Sequence, residues 1–168
     1  VQFTDTHLMR DPAGSIRGAR TLPRLQACIA HARRHFFPVD AILLTGDVVH
    51  DEPEAYGTID LLFGDLGVPI LVIPGNHDVP DEMRRWLNHA PFQVGGQWRT
   101  TNGWQLQLLE SWFADSEDGE GRLGEEQVRQ VRQSLAHGTD PHAFVFLHHP
   151  PIAMESPALD KLAELFHP

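Results

Sequence analysis

Four apolar runs of strand length each break off into the same kinds of polar residue, and this recurrence constrains the fold more than any other feature of the chain. Val1-Gln2-Phe3-Thr4 runs into Asp5-Thr6-His7, and Ile42-Leu43-Leu44-Thr45 runs into Gly46-Asp47. Leu71-Val72-Ile73 runs into Pro74-Gly75-Asn76-His77-Asp78, and Phe144-Val145-Phe146-Leu147 into His148-His149-Pro150-Pro151. The last three of these runs are apolar almost throughout rather than alternating, which fits strands covered on both faces; the first is a strand stub. If the strands are neighbours, carboxylate, imidazole and amide groups from distant parts of the chain collect at one sheet edge.

The segments between these runs read as helices. Leu22, Leu25, Ile29, Ala32 and Phe36 step by three and four along one face, with Thr21 as N-cap, Pro23 just inside and Pro38 as the stop. Cys28 is expected on the apolar stripe of that helix as a small buried hydrophobe. A second helix is expected over 53–66, with Ile59, Leu62, Phe63 and Leu66 inward and Gly67 ending it. A short helix follows near 81–88. Residues 93–103 read as a Gly-rich loop or hairpin, and Trp104 to Leu109 alternates as a strand at or near an edge would. Residues 116–121 read as an exposed acidic loop. Another helix begins near Gly124, with Val128, Val131 and Leu135 inward and glutamates in its first turn. Residues 143–147 read as a buried strand, and 158–166 as the start of a helix. Strands alternating with helices imply βαβ units, hence an α/β fold with a mostly parallel sheet and helices on both faces. No linker composition divides residues 1–168, so a single domain is expected.

At 168 residues and 41% apolar, the chain is long enough for one substantial core. No run approaches the ~20 apolar residues of a membrane-spanning helix, so no membrane partner is expected. The single cysteine permits no internal disulfide and fits a reducing cytoplasm. The net charge of −10 offers no basic stripe for a nucleic-acid backbone, so none is expected as a partner. The acidic balance does not conflict with a phosphoester substrate, because bound cations reverse the local field.

The residue types at the strand ends suit metal-assisted chemistry. Asp5 and His7, two apart, can point the same way at a strand end. A carboxylate with an imidazole favours Fe, Mn, Zn or Co over Mg or Ca alone. Asp47 follows a glycine that permits close backbone approach, and its carboxylate could bridge two ions. Asn76 offers a neutral carbonyl oxygen. His77 need not bind metal; it could protonate a leaving alkoxide, with Asp78 holding its other ring nitrogen.

The ordered set Asp5-x-His7, Gly46-Asp47, Gly75-Asn76-His77-Asp78 and His148 resembles the calcineurin-like metallophosphoesterase superfamily. Thr4-Asp5-Thr6-His7-Leu8, together with His148-His149-Pro150-Pro151-Ile152 and Ser156-Pro157-Ala158-Leu159-Asp160, is most similar to its bacterial class III cyclic-nucleotide phosphodiesterase branch, which also includes glycerophosphodiesterases. The resemblance implies a four-layer α/β/β/α sandwich. It implies two metal ions, one on Asp5, His7 and Asp47, the other on Asp47, Asn76 and His148, with Asp47 bridging. It makes His77 the proton donor, Asp78 its supporting acid and His149 a structural neighbour. It implies a small phosphodiester substrate such as 3′,5′-cyclic AMP, and a possible homodimer.

The family pattern also has a Gly-His-x-His run beyond the His-His-Pro-Pro segment, and no such run follows His148 here. The expectation is therefore a chain cut short at its carboxyl end, with the sandwich incomplete, metals held weakly and activity in doubt. Phosphomonoesterase, nuclease and non-catalytic scaffold functions are the alternatives on the same fold. The low basic content disfavours the nuclease.

Overall fold

Strand β1 (Gln2–Phe3), β4 (Ile42–Thr45), β5 (Ile70–Ile73) and β6 (Phe92–Val94) lie side by side in that order, all parallel, in a computed structural model. The structure describes residues 1–114, 119–137, 142–156, 160 and 165–166. Between β1 and β4 come a small antiparallel pair, β2 (Ser15–Ile16) and β3 (Ala19–Arg20), and helix α1 (Thr21–His35). Helix α2 (Tyr56–Phe63), entered through a 3₁₀ turn at Pro53–Ala55, leads to β5, and α3 (Pro80–Trp86) leads to β6.

Alternation along the two central strands sends side chains to two different cores. Ile42, Leu44, Ile70 and Val72 pack with Leu25, Ile29, Ile59, Phe63 and Met83, so α1, α2 and α3 cover one face. Leu43, Leu71 and Ile73 pack instead with Leu106 and Leu108. Those two belong to β8 (Trp104–Leu108), the middle strand of a second sheet ordered β10 (His142–Phe146), β8, β7 (Gly96–Arg99). A third cluster joins Leu109 and Leu123 to Val128 and Val131 of α4 (Glu125–His137), which places a helix beyond the second sheet. The layers are α/β/β/α, the sandwich implied by the resemblance. A short parallel pair, β9 (Gly121–Arg122) with β11 (Leu165–Phe166), completes the described elements.

Several expectations are corrected. Trp104 to Leu109 lies next to an edge and not at it: among the described residues β8 pairs with β7 on one side and β10 on the other. Its polar positions do not mark a solvated face: Gln105 and Gln107 are buried, their amides bound to Ser134 Oγ of α4. The 143–147 strand is exposed rather than buried, since β10 pairs only with β8 among the described residues and Phe144 and Val145 lie open. Of the two forms expected for residues 93–103, the hairpin is the one present: β7 and the turn that leads antiparallel into β8. Helix α2 ends at Phe63, four residues before the glycine expected to stop it. Thr21 is the first helical residue, with Arg20 as an N-cap that makes no side-chain bond. Phe36 and Leu135 lie exposed rather than inward. Cys28 is exposed: the buried stripe of α1 runs through Leu25, Ile29 and Ala32 and leaves position 28 to one side. Of the helix expected over 158–166, Asp160 is helical but Leu165–Phe166 forms strand β11 against β9 instead; its other residues, and 116–118 of the expected loop, lie outside the described residues.

Candidate metal centre

In a parallel sheet all carboxyl ends share one edge, where open α/β folds bind ligands. Past Phe3 the chain runs on beside the extension of β4. Asp5 N–H bonds Gly46 O at 3.1 Å, His7 N–H bonds Asp47 O at 2.8 Å, and Leu8 N–H bonds Val48 O at 3.0 Å. Along this track Asp5, His7 and Asp47 take positive φ values of 52°, 40° and 50°. Left-handed backbone breaks the strand pleat and re-aims each side chain. The conformation costs on the order of 1 kcal/mol or more per residue and clusters at functional sites.

Asp47 is the centre of the group, 4% exposed. Its Oδ2 faces His7 Nε2 at 3.5 Å, and its Oδ1 faces His148 Nε2 at 3.5 Å. Oδ1 also accepts the backbone N–H of His77 at 2.9 Å. Donor atoms of Asp5, His7 and Asp47 all lie within 4.8 Å of one another. Asp5 is exposed and accepts Thr4 Oγ1–H at 2.6 Å. Asn76 is half-buried at the same edge. The structure thus gathers Asp5, His7, Asp47 and His148, with Asn76 and His77 on the turn beside them.

The tautomer of His148 follows from its partners. Nδ1 lies 3.0 Å from the carbonyl oxygen of Thr45, which can only accept. Nδ1 therefore carries a proton, and Nε2 is the nitrogen turned to Asp47: it donates to the carboxylate when the ring is protonated and is the one free to ligate a metal when the ring is neutral. Two glycines make room. A Cβ on Gly75 would fall on the Asp47 carboxylate and on His148 Nε2; one on Gly46, at φ 97°, would strike the His148 ring.

Charge settings agree with the geometry. Burial works against ionisation of Asp47, but the hydrogen bond and charge of His148, the His77 N–H and His7 together hold its carboxyl below the usual range. Burial lowers His148 too, yet its bond to Asp47 outweighs this and leaves the imidazole raised. His7 is lowered, by burial first and by its histidine neighbours against the pull of Asp47. A buried carboxylate flanked by two imidazoles and a second carboxylate is a donor set that suits divalent transition ions.

The family model for calcineurin-like phosphoesterases matches residues 1–167. The chain belongs to that family. Calcineurin-like phosphoesterases use divalent metal ions, and the donors around Asp47 fit them. The chain is 32% identical over 163 residues to a probable cyclic nucleotide phosphodiesterase of Synechococcus sp., covering 96% of this chain and 62% of that protein. It is 30% identical to the 3′,5′-cyclic adenosine monophosphate phosphodiesterase of Escherichia coli K12 and 28% identical to that of Haemophilus influenzae, covering 96% of this chain and 58% of each. The chain therefore spans about three-fifths of the length of these relatives.

Two roles differ from those expected of this calcineurin-like site. Asp78 does not hold His77. It is 3% exposed and accepts four bonds: Val48 N–H at 3.1 Å, Val49 N–H at 3.2 Å, Gly75 N–H at 2.9 Å and Tyr56 O–H at 2.9 Å. With both oxygens turned into the fold, it anchors the turn that carries Asn76 and His77. Burial pushes its carboxyl up to about 6 against those four donors. The partner of His77 is Asp51, whose oxygens lie 3.1 and 3.2 Å from Nδ1.

His149 is structural, as expected. It is 1% exposed, with Nδ1 2.6 Å from Ser111 Oγ and Nε2 2.9 Å from Gly119 O. Beside Asp5 and His7 opens a cavity of about 460 Å³, whose walls include Phe3, Ile16, Arg24, Leu25 and Cys28.

Proposed function

We propose that this chain carries the metal-binding part of a dinuclear phosphodiesterase acting on 3′,5′-cyclic nucleotides, cyclic AMP foremost, in the cytoplasm. The observation that carries the reading is Asp47, whose two oxygens face two different imidazoles at 3.5 Å each. Asp5, His7 and Asp47 would hold one ion, and Asp47, Asn76 and His148 the other, drawn from Fe, Mn, Zn or Co. When bound, such ions neutralise phosphoryl charge and acidify a water.

The residues of the chain do the rest. Asp47 fixes the spacing of the two halves of the site, and Thr45 O accepts the Nδ1–H of His148 so that Nε2 is the nitrogen presented to the site. His77, with Nδ1 on Asp51, keeps a proton for the departing alkoxide oxygen. The cavity beside Asp5 and His7 gives a small substrate room next to the ligands. The names of the relatives support a cyclic-nucleotide substrate over a glycerophosphodiester or a monoester.

The test is hydrolysis by the chain with Mn²⁺ of bis-p-nitrophenyl phosphate, then of cyclic AMP, a glycerophosphodiester and a monoester. The expected result is chelator-sensitive diesterase activity that Asp47→Ala abolishes. Activity that survives both chelation and the substitution would refute the reading.

A further inference from the structure

Three imidazole rings converge beside the Asp47 centre. His7, His50 and His77 are each half-buried, and one ring nitrogen of each lies within 4.8 Å of the others. Ring centres stand 5.1 Å apart for His7 and His50, 5.1 Å for His7 and His77, and 4.5 Å for His50 and His77. His50 Nδ1 is 3.2 Å from His7 Nδ1.

These spacings fit one cation. Zinc holds imidazole nitrogens at roughly 2.0–2.1 Å in tetrahedral geometry, so two ring nitrogens on one ion stand about 3.3 Å apart and their ring centres about 5 Å. A shared proton accounts for the His7–His50 pair alone; it does not account for the third ring. The backbone holds the trio in place: His50 N–H bonds Leu8 O at 3.1 Å, and Asp51 N–H bonds His77 O at 3.0 Å. Asp51 on Nδ1 of His77 supplies the carboxylate that zinc-binding histidines commonly carry on their far nitrogen.

We propose that His7, His50 and His77 form a further cation site, selective for zinc and similar borderline ions, that competes with the Asp47 centre for His7. Three neutral nitrogens favour zinc over the oxygen-seeking Mg²⁺ and Mn²⁺. A neutral imidazole has one lone pair. His7 either turns it through Nε2 toward Asp47 or offers it through Nδ1 to the trio, so filling one site weakens the other. Zinc in the trio also occupies the ring of His77. The competition rests on the two-metal reading of Asp47; the trio itself does not.

The test is a calorimetric Zn²⁺ titration of metal-free chain carrying Asp47→Asn, which keeps an oxygen for the His77 N–H, with Co²⁺ absorption as a probe of tetrahedral nitrogen ligation. The expected result is one zinc per chain, weakened at least tenfold when either His50→Gln or His77→Gln is added. Glutamine at 50 keeps a hydrogen-bonding group opposite His7, so loss of zinc there reports a lost ligand. Equal zinc affinity with and without His50→Gln overturns the proposal. The same comparison in a His148→Ala background gives the answer should Asp47→Asn fail to fold. Hydrolysis plays no part in this readout, so failure of the phosphodiesterase reading would leave the zinc result standing.

Discussion

His148 Nε2 stands 3.5 Å from Asp47 Oδ1 across the glycine at position 75, which has no side chain to separate them. The turn Gly75-Asn76-His77 can lie this close to both groups only without a Cβ. Gly75→Ala is therefore expected to push the Asp47 carboxylate and the His148 ring apart. Overpacking of this kind costs about 1–3 kcal/mol. The expected outcome is a chain that still folds with a lowered melting temperature and has lost most of its Mn²⁺ affinity. Calorimetric titration beside a thermal melt checks both, and unchanged metal affinity would contradict the steric argument.

The exchange of Asp78 for Asp51 as the partner of His77 separates stability from catalysis. Asp78 accepts two donors on each oxygen, all from within the fold. In Asp78→Asn one oxygen becomes an NH₂ group facing two donors. The expected loss is about 2–4 kcal/mol in urea unfolding, as for a buried hydrogen-bond set left unpaired. Tyr56→Phe removes one of the four bonds and is expected to cost about 1–2 kcal/mol. A loss for Asp78→Asn no larger than that for Tyr56→Phe would show that the turn is not anchored as described.

His77 as proton donor makes a prediction about leaving groups. A p-nitrophenolate departs without help, whereas the alkoxide of a cyclic nucleotide needs a proton. His77→Ala is expected to lower turnover of cyclic AMP by roughly 10²–10⁴-fold, the range for general acid catalysis, and turnover of bis-p-nitrophenyl phosphate far less. Asp51→Asn, which leaves the imidazole in place but removes its charged partner, is expected to show the same selectivity to a smaller degree. Equal losses on both substrates would assign His77 to metal or substrate binding instead.

The legibility of the site in the sequence follows from backbone geometry. Asp5, Asp47 and His148 were readable because each terminates an apolar run, and parallel pairing brings run ends to one edge. His50 and Asp51 were not, because they lie on the loop beyond Asp47, where φ of 58° at Asp51 and the Leu8–Val49 bridge set direction without any periodic signal. The two sheets were legible only by resemblance. From the sequence alone, Leu43 and Leu44 are equivalent; the structure sends one toward β8 and the other toward α1 and α2. Gln105 and Gln107 concealed the centre of the second sheet, because a buried amide satisfied by Ser134 reads like a solvated one.

His149 supplies a pH dependence whose sign is fixed by burial. Nε2–H donates to Gly119 O, Nδ1 accepts from Ser111 Oγ–H, and a Cβ on Gly121 would strike the ring, so the cavity fits a neutral imidazole. Burial first, then the neighbouring His148, pushes its pKa from 6.5 down to about 4. As pH falls, the unfolded chain takes up this proton near 6.5 while the folded chain resists until about 4. The stability from a neutral His149 is thus fully present above 6.5 and is lost between 6.5 and about 4, at up to about 1.4 kcal/mol per pH unit. Asp78 acts in the opposite sense: raised from 3.8 to about 6, it favours the folded chain as pH falls through that window. The diagnostic quantity is therefore the difference between parent and His149→Gln, measured by urea unfolding of metal-free chain from pH 7.5 to 4.5, so that release of bound cations does not contribute. The parent is expected to lose stability more steeply on acidification than His149→Gln. Parallel profiles would mean that His149 is charged inside the fold, which the acceptor at Gly119 and the donor at Ser111 do not require.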